Sequence, residues 1–269
     1  DERANFVPAT SAVLPPNSGA LKYLSPTRPV SLPIEISPPG FPGRSMLDGD
    51  KGNFGPRIGF AYQLGERSVI RGGWGIYYTE LINSVKDQLA GGGVFGTQIN
   101  LFNSITNGVP VFQFPNPFAA ATSQGSTCTS QCLSVSGTDP HLKTPSSQQY
   151  SLTYQRDLGR STVLSVGYRG FATINLPYAN DLTIPPTSTD PANYYTSIIP
   201  LYSQVDWTQS GAIQNMNALD TSVARQFTNG LTLQFGYTLT KDLSDNAAES
   251  GGGGDGEIGS PSNPYNRRA

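Results

Sequence analysis

The sequence predicts an all-β fold, an antiparallel transmembrane β-barrel segment of about six long strands in three hairpins, with long extracellular loops. Three observations lead there. Six segments alternate apolar and polar residues with a period of two, the mark of strands with unlike faces. Their polar faces hold Gly, Ser, Thr and Gln with an occasional Arg, and almost no Lys or Glu. Short turns alternate with very long connections, which count against a compact soluble domain but are normal for outer-membrane barrels.

The strands follow in chain order. In "PRIGFAYQL", Ile58, Phe60, Tyr62 and Leu64 share one face, with Arg57, Gly59, Ala61 and Gln63 on the other. In "SVIRGGWGIYY", Ile70, Trp74, Ile76 and Tyr78 oppose Arg71, Gly73, Gly75 and Tyr77. These two segments form a hairpin over about 56–79 through "LGERS". In "SQQYSLTYQRDLGRSTVLSVGYRGFA", Tyr150, Leu152 and Tyr154 oppose Gln149, Ser151, Thr153 and Gln155. Its second arm sets Leu164, Val166 and Tyr168 against Ser165, Gly167 and Arg169, closing a hairpin over 147–172. In "NALDTSVARQF" the pattern weakens: Leu219, Val223 and Phe227 oppose Asp220, Ser222 and Gln226. "LTLQFGYTLTKDL" sets Leu231, Leu233, Phe235, Tyr237 and Leu239 against Thr232, Gln234, Gly236, Thr238 and Thr240. "FTNG" joins this last pair, over 217–243, with a Gly-containing hairpin signal. Residues 80–146 and 173–216 are left as long loops, and no plug domain is visible.

The apolar faces are aliphatic at mid-strand and aromatic toward the ends, where Trp74, Tyr77, Tyr78, Tyr168 and Tyr237 suit the girdles that flank a lipid-facing band. Arg156, Arg225 and Lys241 share that parity but lie near strand ends, where long side chains reach headgroups. A charge at mid-band would cost about 2–4 kcal/mol, and none occurs there. Six strands fall short of the bacterial minimum of about eight, and an open edge in lipid leaves backbone groups unpaired. The chain therefore reads as a piece of a longer protein, as does a start, "DERANFVPAT", with neither Met nor signal peptide.

Composition excludes several classes. Charged residues are 13% of the chain, against roughly 25% in soluble domains, while Gly (30) and Pro (22) are abundant. A net charge of −2 gives no footprint for nucleic acid. No run approaches the roughly 18 apolar residues of a membrane-spanning helix. His141 is the single histidine, so no His-based triad or zinc site stands out; no enzyme activity and no cofactor are expected. Cys128 and Cys132, in "STCTSQCLS", are expected to form a small disulfide in an oxidising compartment. "GGWG" lacks the Lys-Ser/Thr and helix of a phosphate loop and reads as small residues that let another segment approach. "SGGGGDGEIG" carries Asp255 and Glu257 without EF-hand spacing and reads as a solvated loop.

Two groups of residues could meet a ligand. Arg57, Arg71, Gln149, Gln155, Arg169 and Gln234 have the parity of a barrel lumen, where the arginines would meet plug carboxylates or anionic ligand groups. Phe112, Phe114, Tyr194, Tyr195 and Trp207 fall in aromatic loops, which could stack on sugars, grip peptides or pack together over the barrel mouth.

Three ordered blocks resemble the barrel of TonB-dependent outer-membrane receptors, in the Oar-like branch with a carboxypeptidase-regulatory-like domain. "NFGPRIGFAYQLGERSVIRGGWGIYY" is similar to the family's "NFxPRxGFAY…TVIRGGYGIFY", with Trp74 where Tyr is usual. "LKTPSSQQYSLTYQRDLGRSTVLSVGYRGF" resembles "TPYxQQWNLxxQRxLxxxxxLxxxYVGS". "MNALDTSVARQFTNGLTLQFGYTLTKDLSD" resembles "YNALQxxxxRRFSxGLxFxxxYTWSKxxD", and the final "NPYNRRA" is similar to "DPYNRRAxxG". The resemblance implies a barrel of about 22 strands with an internal plug. It also implies a segment engaging TonB and energy-coupled transport of a large or scarce substrate. The partners expected are outer-membrane lipid, the rest of the barrel and its plug, TonB and an unidentified ligand. A passive porin-like or structural barrel, and a soluble β-sandwich adhesion or carbohydrate-binding module, remain the alternative readings.

Overall fold

The computed structural model describes residues 4–24, 31–42, 47–79, 95, 105–106, 109–110, 133–184, 199 and 201–245. Its strands in chain order are β1 (Asn5–Val7), β2 (Ala12–Leu14), β3 (Arg57–Gln63), β4 (Ser68–Tyr78), β5 (Ile105–Thr106), β6 (Val109–Pro110), β7 (Leu133–Thr138), β8 (Ser146–Gly159), β9 (Thr162–Asp181), β10 (Tyr202–Gln226) and β11 (Thr232–Ser244). A short 3₁₀ turn covers Ser18–Tyr23, its first turn capped by Ala20 N–H donating to Asn17 Oδ1 at 3.1 Å.

Six strands form one antiparallel meander in the order β3-β4-β8-β9-β10-β11. Each expected hairpin is present, and β4 pairs with β8 across the connection that carries β5, β6 and β7. The turns are tight. Arg160 and Ser161, between β8 and β9, both take positive φ (52° and 54°), the backbone of a two-residue turn whose twist matches the strands it joins. Gly230, at φ 85°, closes the β10–β11 turn, where Gly230 N–H donates to Phe227 O at 3.1 Å.

The register settles which faces coincide. Partners directly opposite in an antiparallel ladder put their side chains on the same side. Phe60 opposes Gly72, Gly72 opposes Leu152, Leu152 opposes Tyr168, Tyr168 opposes Leu219 and Leu219 opposes Leu239. The apolar faces of all six strands therefore form one continuous surface, with no second layer over it among the described residues. Ile58 is 70% exposed and Phe235 72% exposed. Leu152, Leu233, Tyr237 and Leu239 are exposed too. A soluble sandwich would bury this surface against another sheet.

Glycines on the apolar face sit beneath aromatic rings from neighbouring strands. Phe60 covers its partner Gly72, and Tyr150 covers its partner Gly170. A Cβ at Gly170 would lie 2.6 Å from the Met216 carbonyl oxygen and 2.7 Å from the Tyr150 hydroxyl. Backbone cannot yield as a side-chain tip can, so Gly170→Val is expected to cost about 1–3 kcal/mol. Denaturant midpoints of wild type and variant in lipid vesicles check this.

The strands run further than their sequence pattern. β9 extends to Asp181 and β10 begins at Tyr202, so much of the span expected as loop, 173–216, is ladder. At about 3.4 Å per residue, 25-residue β10 is far longer than the 9–11 tilted residues that cross a bilayer. Its alternation is interrupted where register shifts fall between Ser210 and Ala212 and between Ala212 and Gln214. There Ile213 N–H donates to Asp245 Oδ1 and Asp245 N–H donates to Ile213 O at 3.1 Å, ending the β11 pairing. Beyond that point β7 pairs in parallel with β10 from Tyr202 to Thr208, on the edge that β11 has left.

This upper portion carries the buried core. Phe6, Val13, Leu133, Val135, Tyr202 and Val205 pack together as a cap in which β1 lies against β7 and β2 pairs with β1. Phe6 and Tyr202 meet edge to face at 5.4 Å, and the Tyr202 hydroxyl donates to Ser11 O at 2.8 Å. Burial pushes the Tyr202 hydroxyl up to about 12, so it stays a donor. Fully buried Asn5 acts as a short piece of strand edge. Its Nδ2 donates to Thr138 O at 2.8 Å, and its Oδ1 accepts from Thr138 N–H at 2.7 Å and from Phe6 N–H at 2.8 Å. Below the cap, Asp50 ties residues 47–54 to the β7–β8 connection. Thr144 and Gly52 N–H groups donate to its carboxylate and hold its pKa below the usual value.

Candidate functional site

The polar face of the meander is the candidate site. Arg57 opposes Gly75, which opposes Gln149. Arg71 opposes Thr153, Gln155 opposes Ser165, Arg169 opposes Ser151, and Gln234 opposes Ala224. The ladder thus brings Arg57, Arg71, Gln149, Gln155, Arg169 and Gln234 onto one surface, as the alternation expects.

Two hollows lie on it, about 430 Å³ and about 250 Å³ in volume. Gly73 and Gly75 border the larger, and Arg57, Tyr77, Gln149 and Arg169 line it. Small residues there leave room that side chains would fill. Arg169 also borders the smaller hollow, with Ser151, Thr153, Asp220 and Thr238.

The arginines are held differently. Arg169 Nε donates to Asp220 Oδ2 at 2.7 Å, while the Thr238 hydroxyl donates to Asp220 Oδ1 at 2.7 Å. This pair is largely open to solvent and contributes little to stability, so its main consequence is positional. The Arg57 guanidinium lies 4.4 Å over the Tyr77 ring. Tyr77 therefore belongs to the polar face and supports an arginine, which removes it from the expected girdle. No ion pair engages Arg71 among the described residues. The surface suits an anionic or hydroxyl-rich group.

A protein family described as an outer membrane beta barrel domain matches residues 1–269. The chain belongs to that family. It is a barrel domain of the bacterial outer membrane, and its exposed apolar face is what such a wall shows to lipid. No curated protein matches the sequence. Among solved structures the barrel domain is similar to the outer membrane transporter YddB from Escherichia coli, at 13% identity and a TM-score of 0.39, covering 68% of this chain and 19% of that one. It is also similar to the siderophore receptor PirA from Pseudomonas aeruginosa, at 12% identity and a TM-score of 0.30, covering 71% and 34%. It thus spans a minor part of the length of either.

The loop residues fare differently from the lumen-parity set. Trp207 is not on a loop. It lies in β10, 9% exposed, packed in the cap core and unable to grip a ligand. Phe112, Phe114, Tyr194, Tyr195, Cys128, Cys132, Asp255 and Glu257 lie outside the described residues.

Three features of the barrel domain escape the alternation pattern. Asp220 is readable as a polar-face residue, but its pairing with Arg169 depends on β9 and β10 being neighbours. Asn217 stands on the apolar face, where it accepts hydrogen bonds from Tyr150 and Tyr168. The interruption of the pattern at "MNALD" was its signal. The third is a carboxylate pair in the cap, where Asp206 opposes Asp181.

Burial raises the Asp206 pKa; the Gln204 amide donating to Oδ1 at 2.9 Å opposes that rise, and facing Asp181 adds to it. A carboxyl whose pKa rises on folding stabilises the fold in acid. That contribution is full below the usual value of 3.8 and is lost as pH climbs through the raised one. The cap is therefore expected to tighten on acidification across that window, and Asp206→Asn to flatten the dependence. Hydrogen exchange of residues 202–208 against pH reads this.

Proposed function

We propose that this barrel domain is part of the wall and mouth of a TonB-dependent receptor for energy-coupled movement of a large or scarce substrate, in the Oar-like branch. The observation that carries the barrel reading is the register itself. Six strands of unlike local sequence place their apolar residues on one face and Arg57, Arg71, Arg169 and their polar neighbours on the other. The three ordered blocks that resemble the receptor family support the finer assignment, which includes a plug inside and TonB as partner. The polar face is then lumenal, its arginines facing plug carboxylates or an anionic ligand. The role is binding and passage, without catalysis. Among the described residues β3 and β11 have free edges, so further strands of the same barrel flank them in lipid.

The test uses the polypeptide of the complete reading frame in a planar bilayer. A plugged receptor is expected to show no stable open-channel conductance and to retain the periplasmic domain of TonB on an affinity column. A steady open channel, with no TonB retained, would establish the passive porin-like alternative.

A further inference from the structure

One polar cluster stands on the otherwise greasy face. The Tyr150 and Tyr168 hydroxyls both donate to Asn217 Oδ1, each at 2.7 Å, and the two rings stack at 6.2 Å. Both lone pairs of that oxygen are used, and the Asn217 Nδ2 donors meet no protein acceptor among the described residues. Lys241 is directly opposite Asn217, exposed, with no ion pair among the described residues. Trp74 shares the same cross-strand row through its pairing with Tyr150.

Position decides what this cluster meets. From the β10–β11 turn, Asn217 lies nine residues above Gln226 and Lys241 nine above Thr232. At about 3.4 Å per residue and a tilt near 40°, that is about 23 Å of height. The apolar band of such a barrel is about 25 Å tall. The cluster therefore stands at the margin of the band away from the short turns, toward the cap, where hydrocarbon gives way to headgroups.

We propose that Lys241, the Asn217 amide and the Tyr150–Tyr168 platform form a binding site for the phosphate of an anionic lipid headgroup in the outer leaflet. The ammonium supplies charge, and the amide N–H groups supply donors held in place by the two tyrosines. The rings and the neighbouring Leu239 accept the upper acyl chain. The site rests on the reading that this face meets lipid.

The full chain, in an uncharged detergent, is mixed with equal amounts of phosphatidylglycerol and phosphatidylcholine, and retained lipid is counted by native mass spectrometry. The expected preference for the anionic lipid is about fivefold, the effect of one lysine near a charged lipid surface. Lys241→Gln and Asn217→Leu should each bring the ratio close to one, and Tyr168→Phe should lower it while keeping the ring. Lys143→Gln, in the β7–β8 connection, should leave it unchanged. Equal retention by wild type, or an undiminished preference in Lys241→Gln, overturns the proposal. Displacement of the lipid by millimolar inorganic phosphate overturns it as well, since the site would then hold free phosphate. If Leu152→Arg destabilises the wall in a bilayer yet wild type shows no lipid preference, only the headgroup site fails. If Leu152→Arg is harmless there, the lipid-facing reading beneath it fails.

Discussion

Leu152→Arg is expected to destabilise the barrel wall by about 1–3 kcal/mol in a lipid bilayer, between the mid-band and the interfacial cost of such a charge, while Thr153→Arg, one residue along, changes stability by less than about 1 kcal/mol. Leu152 lies between Gly72 on β4 and Tyr168 on β9, half exposed, on a surface that no other layer of the described residues covers. A guanidinium there must leave water for hydrocarbon, above mid-band but still below the Tyr150–Asn217 row. Thr153 opposes Arg71 and Gly167 on the other face, beside the smaller hollow, where an added arginine stays hydrated. Val166→Arg, opposite Thr221 and nearer mid-band, should cost about 2–4 kcal/mol, and Ser165→Arg should behave like Thr153→Arg. Denaturant unfolding in vesicles, followed by the heat-dependent gel shift of folded barrels, measures the contrast. Equal costs at Leu152 and Thr153 would mean that the two faces see the same solvent.

Phe6→Ala is expected to cost the cap about 3–5 kcal/mol, the loss typical of a fully buried aromatic side chain. The ring stands edge to face against Tyr202, and Gly137 leaves space for it: a Cβ on that glycine would come within 2.6 Å of Phe6 Cβ. Without the ring, β1 keeps the Asn5 bonds to Thr138 but loses its main apolar contact with β10. The cap should then open while the wall persists, because β8, β9 and β11 make no part of the Phe6 core cluster. Faster amide exchange and proteolytic cleavage within residues 4–24 and 133–138, with residues 147–172 and 217–243 still protected, is the expected pattern. Simultaneous loss of both regions would show that cap and wall unfold as one unit.

The hairpins were legible because alternation is a local property. Ile58-Phe60-Tyr62 and Leu231-Leu233-Phe235 declare two-faced strands without reference to any partner, and "DLGRS" and "FTNG" declare turns. The cap was not legible for the same reason. Tyr202, Val205 and Trp207 are buried by β1, β2 and β7, so the upper half of β10 has no single water- or lipid-facing side to leave a period of two. Its register shifts also break the parity near Gly211 and Ile213. The aromatic character of that segment suggested an exposed loop, whereas it reports a small buried core. Asn5, 133 residues from Thr138, carries no local sign that it completes a strand edge.

By itself the amino-acid sequence determined the six long strands, the two unlike faces of each and the family they resemble, because side chains alternate along a strand whatever lies beside it. Only the tertiary structure decided that β4 adjoins β8 and β9 adjoins β10, that Arg169 meets Asp220, and that two tyrosines converge on Asn217. Those contacts arise from ladder register between segments far apart in the chain, and a one-residue slip would send every partner to the opposite face.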